Sequence, residues 1–210
     1  MQKSKVDDKI IHMKILVLGN SGVGKTSLLR LYKDNEVPRN ISSTMGVDVV
    51  TVDETLNNNM NVRFLIFDTA GQEKYRSMAR SSYKNAKGIL LVYAVNDLNS
   101  FYDIKRWIKD VNDHNENVSW ILVGNKADIE QRVVSFADGE NLAKQYGFNF
   151  FETSIYDNKR PSHSLRINDI IKRLGELIIA RENDMKLLQS GQTGINLNQP
   201  SAQSGRCGRC

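Results

Sequence analysis

Cysteine is almost missing from this chain of 210 residues: there are two, Cys207 and Cys210, both within the last four positions. A core built without cysteine needs no oxidising compartment, which points to a reducing, cytosolic setting. Cysteines at a chain end suggest lipid attachment. A CxxC metal or redox pair would want a second ligand pair or a βαβ context beside it, and neither is there. Long apolar runs are lacking as well, so no membrane-crossing segment is expected, and the first residues do not read as a signal peptide. Gln2 stands where N-myristoylation needs glycine. Dense basic runs are also absent. The net charge is +5, but Lys and Arg are scattered and not interleaved with aromatics, so no nucleic-acid partner is expected. With 40% hydrophobic and 25% charged residues, the composition is that of an ordinary soluble domain with extensions.

What is present is organised around Gly19-Asn20-Ser21-Gly22-Val23-Gly24-Lys25-Thr26-Ser27. It fits G-x-x-x-x-G-K-[S/T], and four fixed positions give roughly one chance match per hundred chains of this size. The apolar run Ile15–Leu18 leads in as a buried strand, and Leu28, Leu29, Leu31 and Tyr32 lead out at helical spacing. The glycines let the backbone wrap closely with its N–H groups inward, and the helix start adds free N–H groups and a positive dipole end. Such a loop binds phosphate. Lys25 reaches the outer phosphates and the Thr26 hydroxyl ligates Mg²⁺ in this reading.

Residues 1–12 are polar and read as a loose lead-in. Strands are expected at Met13–Leu18, Val47–Asp53, Val62–Asp68, Gly88–Tyr93, Trp120–Gly124 and Phe148–Phe151, with Asn57-Asn58-Asn59 turning a hairpin between the second and third. Helices are expected over about Lys25–Lys33, and where Phe101, Ile104, Ile108 and Val111 share one face. A third lies between the Ser135/Asp138 cap and Gly147, and a last along Ile167, Ile170, Ile171, Leu174 and Ile178. Asp34–Met45 reads as a loop. After Ala180 the composition turns to Gln, Ser, Gly and Asn, and residues 181–210 are expected to be disordered. Strand–helix alternation after an early phosphate loop predicts a doubly wound α/β fold. Its six-stranded sheet is mostly parallel with one antiparallel strand, helices cover both faces, and ligands sit at the strands' carboxyl ends. The domain is expected over 13–180.

Two further clusters carry chemistry. Asp68-Thr69-Ala70-Gly71-Gln72-Glu73 follows a buried strand. A carboxylate there suits a nucleotide-bound Mg²⁺ reached through water. Gly71 leaves its N–H open to the terminal phosphate, and Gln72 has the donor and acceptor needed to orient an attacking water. Asn125-Lys126-Ala127-Asp128 follows another strand. Guanine presents two adjacent donors, N1–H and the exocyclic amine, and the Asp128 carboxylate can accept both. Adenine has no such pair. Asn125 can bond the other edge of the base while tying loops together.

With three motifs in this order, the chain from about Lys14 to Ala180 resembles the Ras superfamily of small GTPases. Within it Ser43–Asp48, Gln72–Met78 and Asn99-Ser100-Phe101 are most similar to the Rab family. That resemblance implies a GTP-hydrolysing switch with bound Mg²⁺ and GTP or GDP. It makes Thr44 the threonine that closes over the ion and the terminal phosphate, and Ile41, Ser42, Ser43, Thr44, Met45, Gly46, Val47, Asp48 and Val49 the first switch and effector segment. Ser154 and Ile155 of Glu152-Thr153-Ser154-Ile155 face guanine by the same resemblance, with Ile155 where alanine is usual and Tyr156 where lysine is usual. The partners it implies are an exchange factor, an activating protein with an arginine finger, switch-reading effectors, a prenyl transferase with its escort, and a GDP-dissociation inhibitor. It also implies vesicle trafficking on the cytoplasmic face of a membrane.

Some residues depart from that family's pattern. Val37 stands where an aromatic residue usually covers guanine, so faster GDP release is expected. Val49, Phe67 and Ser82 replace the usual Phe, Trp and Tyr of the effector-reading triad, which implies divergent partners. The ending Cys207-Gly208-Arg209-Cys210 resembles prenylated tails at an unusual spacing. Double prenylation and C-a-a-X modification of Cys207 alone both fit. Three rivals share part of the pattern. A nucleotide-dependent scaffold without turnover would typically lose Gln72 or Thr44. A small-molecule kinase has no use for Asp128. A Ras- or Rho-type signalling GTPase shares the chemistry and differs in partners.

Overall fold

Segments that are apolar without interruption become strands covered on both faces. In the computed structural model, which describes residues 10–36, 47–57, 59–69, 82–156 and 165–190, the strands Gly88–Ala94 (β4) and Ser119–Asn125 (β5) are buried at every residue. With β1 (Ile11–Leu18), β2 (Val47–Thr55), β3 (Asn61–Thr69) and β6 (Asn149–Glu152), they form one sheet in the order β2-β3-β1-β4-β5-β6. All neighbours run parallel except β2 and β3, the expected hairpin. Asn59 turns it at a φ of 58°, a left-handed conformation that asparagine tolerates better than most residues.

Helices close both faces. Under one lie α1 (Lys25–Asp34) and α5 (Ile167–Gln189), whose Leu28, Ile170 and Leu174 pack with Val17, Phe64 and Ile121 of the strands. Under the other lie α3 (Ile104–Asn112) and α4 (Phe136–Tyr146), where Trp107, Ile108 and Leu142 pack with Leu16, Leu91 and Leu122. The sheet is therefore doubly wound. Its order departs to either side of β1, which sets the crevice outside the carboxyl ends of β1, β3, β4, β5 and β6.

Three expectations need correcting. The lead-in does not run to residue 12, because Ile11 and His12 already belong to β1 and pair with Val62 and Arg63 of β3. The apolar spacing from Phe101 to Val111 reads as one helix, but the chain forms a short helix, α2 (Leu98–Tyr102), and then α3, with Asp103 between them. Asp97 starts α2 by accepting from the Ser100 N–H. The chain beyond Ala180 is not disordered throughout, because α5 continues to Gln189. Residues 181–189 are mostly good helix formers, and distant contacts hold them. Arg181 donates to the carbonyls of Val118 and Glu116 at 2.9 and 3.1 Å, and Glu182 pairs with Lys87. No helix among the described residues is long and apolar enough to cross a membrane.

The α4 start is the capping box expected from Ser135 and Asp138. The Asp138 N–H donates to Ser135 Oγ at 3.1 Å, and Asp138 Oδ2 accepts from the Ser135 N–H at 3.0 Å. The Ser135 hydroxyl and N–H hold the Asp138 carboxyl below the ordinary carboxylate range. Gly147 ends the helix at a φ of 69°. Ser135→Ala should lower the unfolding free energy by about 1 kcal/mol. A thermal melt should read this as a drop of roughly 2–4 °C.

Candidate functional site

The loop from Gly19 to Gly24 leaves β1 and enters α1 with three left-handed glycines, Gly19, Gly22 and Gly24, at φ values of 140°, 78° and 99°. Lys25 lies across it, donating from Nζ to the carbonyl oxygens of Gly19 and Asn20, both at 2.9 Å. Its side chain is buried, and burial lowers its pKa to about 8 while the Asp68 charge pulls the other way. A buried cation satisfied, among the described residues, by two carbonyls is an incomplete arrangement. It has the charge and the direction to meet an anion held in the loop. Val23 and Ser27 are buried behind the loop, whereas Ser21 is exposed.

Beside Lys25, the Thr26 hydroxyl donates to Asp68 Oδ2 at 2.6 Å. Asp68 is the last residue but one of β3 and is 3% exposed, and its other oxygen, Oδ1, is buried with no hydrogen-bond partner among the described residues. Burial raises its pKa, opposed by the Thr26 hydroxyl and the Lys25 charge. A cavity of about 130 Å³ opens here, lined in part by Thr26, Arg30, Asp48 and Asp68. Water takes about 30 Å³ per molecule, so a hydrated cation has room. An orphaned carboxylate oxygen, an adjacent hydroxyl and a cavity are what an oxygen-seeking divalent ion requires.

The third cluster closes the crevice at the ends of β5 and β6. Asn125 Nδ2 donates to the Val23 carbonyl at 2.7 Å, tying the Asn125–Asp128 turn to the Gly19–Ser27 loop across 102 positions of sequence. Its Oδ1 is buried and has no partner among the described residues. Lys126 turns at a φ of 64°, carrying the chain out of the strand toward half-buried Asp128. The Ser154 hydroxyl donates to Asp128 Oδ1 at 2.5 Å and in turn accepts the Tyr156 N–H at 3.0 Å. The Ala127 N–H donates to the Thr153 carbonyl at 3.1 Å, and the Thr153 N–H to the Gly124 carbonyl at 2.9 Å, so both segments move as one piece. Ile155 packs against the core from the same segment.

Residues 19–27, Asp68, Asn125, Lys126, Asp128, Ser154 and Ile155 thus gather at the carboxyl ends of β1, β3, β5 and β6. Ile41, Ser42, Ser43, Thr44, Met45 and Gly46, with Val37, Gly71, Gln72, Cys207 and Cys210, lie outside the described residues. The sequence reading missed a support beneath the base cluster. Arg132 pairs with fully buried Glu152 and donates to the Val134 carbonyl at 2.9 Å, bracing the start of the Ser154 segment. Tyr93 lies near it, its hydroxyl buried and without a partner among the described residues, and burial raises its pKa. A glutamate at the end of a short strand was the one visible hint of this support.

The Ras family matches residues 14–173. Among curated relatives, the Ras-related protein SEC4 of Saccharomyces cerevisiae is 38% identical over 204 residues, covering 94% of this chain and 91% of its own. The Ras-related protein RAB1BV of Beta vulgaris is 37% identical over 93% of each chain. The Ras-related protein Rab-15 of Mus musculus is 42% identical over 79% of this chain and 76% of its own. The chain belongs to the Ras family and is of Rab type. As a Rab-type GTPase it binds guanine nucleotide and hydrolyses GTP, switching between two states.

Ras-family GTPases bind Mg²⁺ together with GTP or GDP, and the Thr26–Asp68 pair with its orphaned oxygen fits that ion. Two departures from the usual Rab triad also find their place. Val49 and Phe67 face each other across the β2–β3 hairpin, Val49 is 47% exposed, and the Lys14 ammonium lies 4.8 Å from the Phe67 ring centre. Ser82 is half-buried.

Proposed function

We propose that this Rab-type GTPase holds the phosphates of GTP with the backbone of Gly19, Asn20, Ser21, Gly22, Val23 and Gly24, with Lys25, and with the first turn at Thr26 and Ser27. Lys25 already faces into the cradle, so it meets the outer phosphates without rebuilding the loop. Thr26 and Thr44 ligate Mg²⁺ directly, and Asp68 does so through water. The ion, when bound, neutralises charge that gathers on the outer phosphate oxygens during transfer to water. Asn125, Lys126 and Asp128 hold guanine, with Ser154 fixing the Asp128 carboxylate and the Ile155 backbone facing the base. Gln72 orients the water that attacks the terminal phosphate, and Gly71 and Thr44 sense whether that phosphate is present. The observation that carries this reading is Asp68, a buried carboxylate with one oxygen on Thr26, the other without a partner among the described residues, and a cavity of about 130 Å³ that the residue helps to line.

Residues 41–49, from Ile41 to Val49, form the effector-facing switch. They recruit partners in the GTP state, and an exchange factor and an activating protein set the balance of states. Cys207 and Cys210 take prenyl groups from a transferase and its escort, and the lipid anchors the protein to the cytoplasmic face of a membrane until a GDP-dissociation inhibitor extracts it. The regulated process is vesicle trafficking. The 37–42% identity to Rab-type relatives supports this reading. Single-turnover hydrolysis tests the catalytic assignment. Gln72→Leu should slow intrinsic GTP cleavage by about 10–100-fold, the scale on which a misplaced reactant costs rate, while GTP affinity stays within twofold. An unchanged rate would remove Gln72 from the role.

A further inference from the structure

Asn20 is gripped from outside the phosphate loop. Its Nδ2 donates to Asp103 Oδ2 at 2.6 Å, and its Oδ1 accepts from Trp107 Nε1 at 3.0 Å. A carboxylate can only accept and an indole N–H can only donate, so the two partners fix which way the amide points. They lie 83 and 87 positions away. We propose that Trp107 and Asp103 are positioning residues for the phosphate loop, acting through Asn20. The inference rests on reading residues 19–27 as the phosphate cradle.

Three observations support it. Trp107 is 1% exposed and packed in a cluster with Leu16, Leu18, Ile104 and Ile108, so its N–H is offered from a rigid wall. Asp103 occupies the N-terminal cap position of α3, where aspartate ordinarily bonds its own helix, yet its side chain makes no capping bond. That carboxylate is given to the loop instead. The third is that the Asn20 carbonyl is one of the two oxygens holding Lys25 Nζ. Any displacement of Asn20 therefore moves the cation that meets the phosphates. The grip shapes the loop before nucleotide arrives and slows its loss afterwards.

The test is GDP release from the full-length protein with Mg²⁺, followed with a fluorescent GDP. Trp107→Phe keeps a ring in the core and loses the donor, and Asn20→Ala removes the amide. Trp107→Phe should release GDP about 3–10-fold faster, the scale of one hydrogen bond, and Asn20→Ala, which loses two, should be at least as fast. The double variant should be no faster than the quicker single one, since both act through one contact. Asp103→Ala, at a half-buried position, should show the same increase and keeps the test valid if Trp107→Phe melts early. Trp120→Phe leaves Trp107 the sole tryptophan of two, and its emission should change as GDP leaves, which a residue that only fills the core would not report. Release rates within 1.5-fold of wild type in all three variants, or effects that multiply in the double variant, would overturn the proposal and leave the cradle standing. A wild-type chain that holds no GDP would overturn the cradle and this inference with it.

Discussion

Asp128→Asn lowers the affinity for GTP by about 10⁴-fold, the scale on which a site built around a hydrogen-bonding group rejects a partner that no longer matches. Guanine offers N1–H and its exocyclic amine side by side, and both oxygens of a carboxylate can accept them. An amide keeps one acceptor and sets an N–H against an N–H, so the change replaces an attraction with a clash of donors. The surroundings leave no room to adjust. The Ser154 hydroxyl donates to Asp128 Oδ1, and the Ala127 and Thr153 backbones are bonded to each other, so Asp128 cannot swing to recover a contact. The fold itself should be little affected, because Asp128 is only half-buried. Competition binding against fluorescent GDP measures the loss. A loss below tenfold would take Asp128 out of base recognition.

Gly24→Ala should cost about 10²–10⁴-fold in nucleotide affinity. Two independent penalties add. Gly24 holds a φ of 99°, where a side chain costs of order 1–3 kcal/mol. A Cβ there would also stand 2.3 Å from Asn125 Nδ2, too close for any real contact. Asn125 would have to move, breaking its 2.7 Å bond to the Val23 carbonyl at a further cost of about 1–3 kcal/mol. At 1.4 kcal/mol per factor of ten the sum reaches the stated range. Gly22→Ala is the internal comparison. Its φ of 78° is also left-handed, but a Cβ there meets nothing within 4 Å. It should therefore bind at least tenfold more tightly than Gly24→Ala. Equal losses would mean that backbone strain alone is at work and that the Asn125 strap is idle.

Much of this architecture is written locally. The buried strands announce themselves because a strand covered on both faces is largely apolar, as β4 is and as β5 is from Trp120 to Gly124. The cap of α4 is legible from Ser135 and Asp138, and the hairpin turn from its asparagines, because each depends on neighbours within a few positions. The Gly19–Ser27 and Asn125–Asp128 clusters stand out for the same reason: the residues of each are adjacent in sequence. What joins them does not. The Asn125–Val23, Arg132–Glu152, Asn20–Trp107 and Thr26–Asp68 contacts join residues between 20 and 102 positions apart, the first from a side chain to a backbone carbonyl and the others between side chains. Thr26 and Asp68 were expected around one ion, and Asn125 was expected to tie loops together without its partner Val23 being named; the other two pairings gave no sign. The extension of α5 past Ala180 escaped notice because Arg181 and Glu182 find their partners on other elements, which a change in composition does not reveal.

A single binding experiment bears most directly on whether one crevice holds a triphosphate by the loop after β1 and selects its base by Asp128. The full-length protein, stripped of nucleotide, is titrated with GTP and with ATP in the presence of Mg²⁺, and GTP binding is repeated with the metal chelated. GTP should bind at least about 10⁴-fold more tightly than ATP, and chelation should weaken it sharply. Equal affinity for the two nucleotides, or GTP binding indifferent to magnesium, would contradict the account.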